Sequence, residues 1–110
     1  MLNEVRFVGK SVSIPKIVVD TLGKESVIIM IQCDRVYRND DGEYVTDTIP
    51  VKLEAMNADV ALESALPGSL LGIRGFLESS ISPDGEIMIS VVGEKLSILT
   101  QSRTQDVDRE

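Results

Sequence analysis

The chain of 110 residues has no histidine, no tryptophan and a single cysteine, and only four of its side chains are aromatic. Without histidine, neither a Ser-His nor a Cys-His catalytic pair can form. One cysteine excludes an intrachain disulfide and, with no histidine beside it, argues against a zinc site. Because no nucleophile–base pair and no metal-binding cluster is visible either, we predict a binding protein that uses no cofactor, and not an enzyme.

Long hydrophobic runs are also absent. The longest uninterrupted apolar segment, Val27–Ile31, has five residues, whereas a helix that spans a bilayer needs about 20. The first residues, MLNE, do not resemble the basic and apolar start of a secretory leader, so we predict neither a membrane protein nor a secreted one. The unpaired Cys33 agrees with the reducing environment of the cytoplasm, where we expect the protein to act.

Negative charge dominates what is present. The sequence has 18 Asp and Glu side chains against 11 Lys and Arg, which gives a net charge of −7. Only three of the acidic residues come after Thr100, so the acidity belongs to the main part of the chain. This balance argues against strong electrostatic capture of nucleic acid.

The alternation of apolar and polar residues predicts five strands and one short helix. In chain order we predict strands at 2–14, 26–37 and 43–55, a helix at 57–66, a strand at 69–79, and a last strand at 86–92 that continues at 96–99 after an interruption at Gly93. Asp41-Gly42 and the segment 82–85 (SPDG) are turn signals between neighbouring strands. The run Val27–Ile31 predicts a segment that is buried on both faces, and Asn57 is the predicted N-cap of the helix.

This order of elements is the layout of the OB-fold, an all-β, five-stranded Greek-key barrel, here with one short helix between its third and fourth strands. Gly9, Gly72 and Gly75 suit strands that bend to close a barrel. Another small α+β domain with the same order of elements is the alternative. We assign residues 1–100 to one OB-fold domain, and we predict that the polar segment 101–110 is a disordered tail.

Particular residues of this sequence resemble the bacterial single-stranded DNA-binding proteins. The first ten residues, MLNEVRFVGK, are similar to the opening of that family, and the likeness continues without gaps to about residue 81 through Pro15, Gly23, Arg35, Tyr37, Gly42, Glu43, Tyr44, Asp47, Ile49, Gly68, Ser69, Gly75 and Leu77. The resemblance implies an OB-fold that assembles into a homodimer or homotetramer, with the first strand at a subunit interface. It also implies binding of single-stranded DNA, with bases stacked on aromatic rings and Lys and Arg beside the phosphates.

The sequence departs from this family at three positions where its members carry a stacking aromatic. These positions hold Thr48, Glu54 and Ser82, and only the fourth, Tyr37, is aromatic. Since each stacked base contributes roughly 1–3 kcal/mol, we expect an affinity for DNA well below that of a typical member. Glu54 and Glu78 are also expected to repel phosphate.

The candidate nucleic-acid-binding residues are two aromatic rings and the cations predicted to lie in strands or beside the first ring. They are Tyr37, Arg35, Arg38, Arg6, Lys10, Lys52, Arg74 and Phe76. The cations have an alternative use in cross-strand pairs with Glu4, Glu54 or Glu78. We predict a weak, sequence-independent binder of single-stranded DNA in DNA replication, recombination or repair. The alternative is an oligomeric OB-fold interaction protein that has lost DNA binding and docks on a replication protein or on a single-strand-binding paralogue.

Overall fold

The computed structural model describes residues 1–101, which form six strands and one helix. Their bounds are β1 (Val5–Ser11), β2 (Lys16–Val19), β3 (Glu25–Arg38), β4 (Tyr44–Leu53), α1 (Ala55–Ser64), β5 (Leu70–Ile81) and β6 (Ile87–Thr100). The predicted tail at 101–110 lies outside the described residues, except for Gln101. In the described part of the chain, no helix is long and apolar enough to cross a membrane.

Five of the six strands close into a barrel. The strands are hydrogen-bonded in the order β1-β5-β6-β4-β3-β2, and an additional pairing between β1 and β3 closes the sheet on itself. Neighbouring barrel strands are antiparallel except β4 and β6, which run parallel where Val51 and Lys52 lie beside Val91 and Val92. A five-stranded barrel with a helix between its third and fourth strands is the OB-fold, so the predicted fold class is confirmed.

The short strand β2 is an element that the alternation pattern does not predict. It follows β1 after Pro15 and pairs antiparallel with the first part of β3, with Lys16 beside Ile28 and Val19 beside Glu25. All four of its residues are exposed, so its side chains show no alternation between a buried and an exposed face. β2 forms because β3 is 14 residues long and its first part needs a hydrogen-bonding partner beyond the end of β1.

The apolar run in β3 is buried on one face only, so the prediction that it is buried on both faces is wrong. Val27, Ile29 and Ile31 are almost fully buried, whereas Ile28 is half-buried and Met30 is 37% exposed. The reason is that a strand in a barrel wall has a single inner face. Ile28 and Met30 belong to the outer face, and no second layer of the described structure covers them completely.

The core fills the barrel and extends under α1. Its buried side chains are Val27, Ile29, Ile31, Val51, Leu53, Ala58, Ala61, Ala65, Leu71 and Ile73, with Phe7 packed against them. The helix begins at Ala55, two residues before the predicted start. Asn57 is therefore not the N-cap: it lies inside α1, and its Nδ2 donates to the carbonyl of Glu94 at 2.9 Å. This hydrogen bond fastens the helix to β6.

Two of the three glycines in β1 and β5, Gly9 and Gly75, lie at close approaches between strands. A Cβ atom at Gly75 would overlap the carbonyl oxygen of Val92, and one at Gly9 would lie 2.5 Å from the carbonyl oxygen of Gln32. Neither position accepts a side chain, because the obstacle in each case is backbone that cannot move without breaking the barrel.

Strand β6 is continuous, so the predicted interruption at Gly93 is wrong. Gly75 of β5 pairs with Gly93, but the preceding residue of β5, Arg74, pairs with Lys95. Glu94 therefore has no partner in β5 and forms a β-bulge, in which two residues of one strand oppose one residue of the other. The bulge places Lys95, and not Glu94, beside Arg74.

Two hairpins extend from the same end of the barrel, because β4 and β6 run parallel and both begin there. We call residues 34–48 the tyrosine arm. Within this range, the residues of β3 and β4 pair with each other and with no other strand of the described structure. In the aliphatic arm, residues 77–90, the same is true of β5 and β6. Each arm ends in a predicted turn that contains a glycine at positive φ, Gly42 at 80° and Gly85 at 85°, a conformation that favours glycine.

Candidate nucleic-acid interface

The tyrosine arm carries two Arg–Tyr pairs on opposite faces. The first pair is Arg35 and Tyr37, and Arg35 also contacts Asp47. The second pair is Arg38 and Tyr44. Successive side chains of a strand point to alternate faces, so Asp47 and Tyr44, which are three residues apart in β4, lie on opposite sides of the arm. A register shift between Asp34 and Arg38 lengthens β3 relative to β4 and brings each arginine to a different partner.

In the first pair, a carboxylate holds Arg35. Its Nε and Nη2 donate to the two carboxylate oxygens of Asp47 at 2.8 and 2.9 Å, and its Nη1 donates to the hydroxyl of Tyr37 at 3.0 Å. The hydrogen bond with Arg35 lowers the pKa of Asp47, and the bonds to Asp47 and Tyr37 raise the pKa of Arg35. Both groups stay charged at neutral pH and compensate each other. Arg35 therefore orients the 56% exposed ring of Tyr37 without adding a net positive charge.

In the second pair, Arg38 lies over an aromatic ring and keeps its charge uncompensated. Its guanidinium carbon is 4.6 Å from the centroid of the Tyr44 ring, within the range of a cation–π contact, and Nη2 donates to the Tyr44 hydroxyl at 3.3 Å. Among residues 1–101, no carboxylate forms an ion pair with Arg38. The Tyr44 ring is 54% exposed, so this face offers a flat ring and a free cation side by side.

Tyr44 is a functional candidate that the predicted site does not include, because no stacking position of the resembling family falls there. The sequence carries only part of this signal. Asp41-Gly42 predicts a hairpin, but a two-residue loop at these positions would place Val45 opposite Arg38. The observed loop has three residues, 40–42, between Asn39 and Glu43, and this register makes Tyr44 the cross-strand partner of Arg38.

Two other predicted site residues, Lys52 and Phe76, lie on the outer wall of the barrel and not on the tyrosine arm. Lys52 Nζ forms an ion pair with Glu78 at 3.1 Å, which is the cross-strand pairing that the sequence allows as the alternative use of its cations. Phe76 is half-buried and lies opposite the buried Val92. Neither residue presents a free charge or a fully open ring.

Three further predicted cations, Arg6, Lys10 and Arg74, share the outer face of β1 and β5. Arg6 and Arg74 are register partners, and Lys10 pairs with Leu70. In the order of the barrel, β5 is adjacent to neither β3 nor β4, so Arg74 lies across the barrel from the strands of the tyrosine arm, whereas Lys10 is the register partner of Gln32 in β3. The structure thus places three of the eight predicted residues, Arg35, Tyr37 and Arg38, on the tyrosine arm and the other five on the outer wall of the barrel.

The positions that lack the aromatic rings of the resembling family make polar contacts or face solvent. Thr48 is exposed on the tyrosine arm, and Ser82 lies in the turn of the aliphatic arm, where its Oγ accepts a backbone N–H at 3.1 Å. Glu54 pairs with Lys24 at 3.3 Å. Because Glu54 and Glu78 each have a lysine partner, the repulsion of phosphate expected from them is reduced.

Cys33 lies on the same face of β3 as Arg35. Burial, followed by the negative charges of Asp47 and Asp34, raises the pKa of the Cys33 thiol. A thiol with a raised pKa is protonated and unreactive at neutral pH. Across residues 1–101, no group of three or more His, Cys, Asp or Glu side chains could hold a metal ion.

The aliphatic arm is apolar along one of its faces. By strand alternation and register this face consists of Leu77, Ser79, Ile81, Ile87 and Ile89. The four apolar side chains of this face are between 45% and 75% exposed. Within residues 77–90, no charged side chain lies on this face. Such a contiguous exposed apolar surface is typical of a site that contacts another molecule.

Comparison by sequence finds no match: no protein-family model matches the chain, and no curated protein matches it. Solved structures do match. The single-stranded DNA-binding protein from Thermus aquaticus superposes with a TM-score of 0.74 at 18% identity, over 89% of this chain and 50% of that one, so the chain spans half the length of that protein. A mitochondrial single-stranded DNA-binding protein of S. cerevisiae superposes with a TM-score of 0.74 at 12% identity, over 92% of this chain and 97% of that one.

Identities of 12% and 18% establish a shared fold. The match agrees with the closed barrel and with the position of α1 between β4 and β5. It agrees as well with the resemblance of the first ten residues of the sequence. The chain therefore has the OB-fold in the form found in single-stranded DNA-binding proteins.

Proposed function

We propose that this protein binds single-stranded DNA without reading its sequence, and that the tyrosine arm is the main contact surface. The observation that carries the proposal is the pair of Arg38 and Tyr44, an exposed ring with an uncompensated guanidinium against it. Every base has a π-face that stacks on such a ring, and a free cation beside the ring attracts the neighbouring phosphate. OB-folds bind oligonucleotides on the face of their second and third barrel strands, which here are β3 and β4. The solved structures that share this fold are single-stranded DNA-binding proteins.

Tyr37 provides a second stacking ring in this proposal. Because Tyr37 and Asp47 belong to the face opposite Tyr44, one base cannot touch both rings, and a strand that uses both must pass around the arm. Lys52 and Phe76 contribute where the strand continues onto the wall of the barrel, and Lys52 must first exchange its carboxylate partner for a phosphate.

Two rings are too few for tight binding by stacking alone. At roughly 1–3 kcal/mol for each stacked base, they supply at most about 6 kcal/mol, whereas a micromolar dissociation constant corresponds to about 8 kcal/mol. The remainder must come from contacts with phosphate, which weaken as the salt concentration rises. We therefore expect micromolar or weaker binding with a clear dependence on salt.

Fluorescence anisotropy with a labelled oligo-dT at low salt tests this proposal. We expect saturable binding by the full chain and an affinity that falls roughly 5- to 150-fold in Tyr44→Ala, the loss of one stacked base. Val36→Ala is the matched control, because Val36 is 98% exposed on the same arm and has no ring, so its truncation should leave the affinity unchanged. The absence of binding at high protein concentration, or equal losses in the two variants, would contradict the proposal.

We propose further that the protein is a homodimer or homotetramer with β1 at a subunit interface. On the side away from β5, residues 5–9 of β1 have no strand partner within the described chain, and a free strand edge can pair with a second chain. This assembly, a location in the cytoplasm and a role in DNA replication, recombination or repair rest on the sequence resemblance. Size-exclusion chromatography with light scattering checks the assembly, and a mass near the 12.0 kDa of one chain would contradict it.

The aliphatic arm favours a second candidate function, that of an interaction protein that has lost DNA binding. Its exposed apolar face suits a protein partner, such as a replication protein or a single-strand-binding paralogue, better than it suits a phosphate backbone. This function is supported if the wild type does not bind oligo-dT and retains a replication protein that the double variant Ile87→Ser/Ile89→Ser loses. A pull-down that returns only nucleic acid would contradict it.

A further inference from the structure

Outside the tyrosine arm, three cations line up across the outer face of β1, β5 and β6. Arg6 lies opposite Arg74, and Arg74 lies opposite Lys95. Side chains directly opposite each other in antiparallel strands have Cβ atoms about 4.5–5.5 Å apart, and like charges in such pairs destabilise a sheet. Three positive charges in one cross-strand row are therefore an arrangement that the stability of the barrel does not favour.

The bulge at Glu94 creates this row. If β6 continued from the pairing of Gly75 with Gly93 without a bulge, Glu94 would lie opposite Arg74, where a carboxylate is attracted to the guanidinium. The bulge moves Glu94 out of register and puts Lys95 in its place. Bulges often redirect a side chain next to a functional site. Here the bulge exchanges an attractive neighbour of Arg74 for a repulsive one.

The row borders an open pocket of about 500 Å³, a volume typical of sites for small molecules. Gly72 lies in its floor, and the exposed side chains of Val8 and Leu99 form apolar walls. A Cβ atom at Gly72 would have its nearest neighbour 3.6 Å away, at the Cβ of Ser97, which is an ordinary contact. Packing does not require glycine at this position, and the missing side chain leaves the floor of the pocket open.

Little negative charge balances the row. Glu4 forms one ion pair with Arg6 at 3.3 Å, between two exposed side chains. In the part of the chain that the structure describes, neither Arg74 nor Lys95 has a carboxylate partner. This local excess of positive charge occurs in a protein whose net charge is −7. An anionic ligand would supply the missing counter-charge.

We propose that this pocket binds a phosphate group, with its charge on the row of Arg6, Arg74 and Lys95 and the organic part of the ligand over Gly72 between the apolar walls. Two guanidinium groups and one ammonium offer more donors than the two oxygens of a carboxylate accept, whereas a terminal phosphate has three free oxygens and up to two negative charges. The phosphate can belong to a free ester of nucleotide size or to a DNA strand. In both cases the site is separate from the tyrosine arm, because its central strand, β5, pairs with neither β3 nor β4.

Isothermal titration calorimetry of the full chain with inorganic pyrophosphate tests the site. We expect saturable binding that weakens about tenfold or more in Arg74→Gln and in Lys95→Gln, because each variant loses a charged hydrogen-bond donor. Lys16→Gln is the matched control, since Lys16 is exposed on β2 and has no ion pair within residues 1–101. No binding by the wild type, or an equal loss in the control, would overturn the proposal.

A second measurement separates the two sources of phosphate, given that pyrophosphate binds. If the ligand is a free ester, thymidine monophosphate also binds and Lys95→Gln leaves the affinity for oligo-dT unchanged. If the ligand is a DNA strand, Lys95→Gln weakens the binding of oligo-dT and thymidine monophosphate does not compete for the site. A chain that binds pyrophosphate but not oligo-dT would refute the proposed DNA binding and support this site.

Discussion

The two Arg–Tyr pairs of the tyrosine arm contain the same two residue types in different electrostatic surroundings. Arg35 donates two hydrogen bonds to Asp47 and one to Tyr37, so its charge is compensated. Arg38 lies against the ring of Tyr44 and, among the residues described, has no carboxylate partner. An exposed ion pair offers a ligand little net charge. The comparison shows that the presence of a carboxylate partner, and not the proximity of a tyrosine, decides whether the positive charge of an arginine is available to a phosphate.

The same distinction divides the other cations of the molecule. Lys24 and Lys52 are paired with glutamates, and both lie on or near the β3–β4 side of the barrel. The cations that have no ion pair within residues 1–101 are Lys10, Lys16, Arg38, Arg74 and Lys95. Three of these five, Lys10, Arg74 and Lys95, lie on the outer face of β1, β5 and β6, so unpaired positive charge is concentrated there.

The largest effect is expected when both rings of the arm are removed. The losses in the single variants Tyr37→Ala and Tyr44→Ala should add, to roughly 2–6 kcal/mol of binding free energy in the double variant. Additivity is expected because rings on opposite faces of the arm share no base. Anisotropy titrations with oligo-dT measure the three values. A double variant no weaker than one of the single variants would show that the two rings serve the same base.

A smaller effect, in the opposite direction, is expected for Asp47→Asn. This substitution removes a negative charge and frees Arg35 for one more phosphate contact, so oligo-dT should bind about three- to tenfold more tightly at low salt. Asp34→Asn is the matched control, because it removes the same charge from the same arm without releasing an arginine. Equal gains in the two variants would mean that only the net charge of the arm matters.

The salt dependence of binding should separate the two arginines. In Arg38→Gln, the slope of log K against log salt concentration should become shallower by about 0.7, the value for one phosphate contact on a single strand. In Arg35→Gln the slope should stay that of the wild type, because Asp47 already neutralises Arg35. The same change of slope in both variants would show that Arg35 leaves Asp47 in the complex.

The smallest effect concerns the stability of the first pair. The hydrogen bond from Arg35 lowers the pKa of Asp47 in the folded chain, so the pair stabilises the fold at pH values above the unfolded pKa of about 4. This contribution is lost as the pH falls through the lowered pKa. Thermal denaturation should show the wild type slightly more stable than Asp47→Asn at about pH 7 and equally stable at about pH 2. A difference that persists in acid would assign it to packing and not to the ion pair.

Most of the fold follows from local patterns. Alternation predicts the five barrel strands, and Gly42 and Gly85 mark the tips of the two arms. β2 is not predicted, because an exposed strand of four residues has no buried face and therefore no alternation of apolar and polar residues. The start of α1 is predicted two residues too late, because Asn57 donates a hydrogen bond to the backbone of β6 and does not cap the helix.

The sequence predicts only part of the candidate site. Resemblance identifies Tyr37, whereas Tyr44 becomes a candidate only when the hairpin register places it beside Arg38. The compensation of charge could not be predicted, because the partner of Arg35 lies 12 residues along the chain and the partner of Lys52 lies 26 residues along it. In the unfolded chain, each of these cations can contact several Glu or Asp side chains, and the sequence alone does not indicate which of them becomes the partner in the fold.

The sequence by itself determines the net charge, the period of the strands and the positions of the turns, because these depend on residues that are neighbours along the chain. Only the tertiary structure decides which charges meet. The register shift in β3 assigns Arg35 and Arg38 to different faces, and the bulge at Glu94 sets Lys95 beside Arg74. The physical reason is that cross-strand neighbours depend on register, and a slip of one residue changes every pair beyond it.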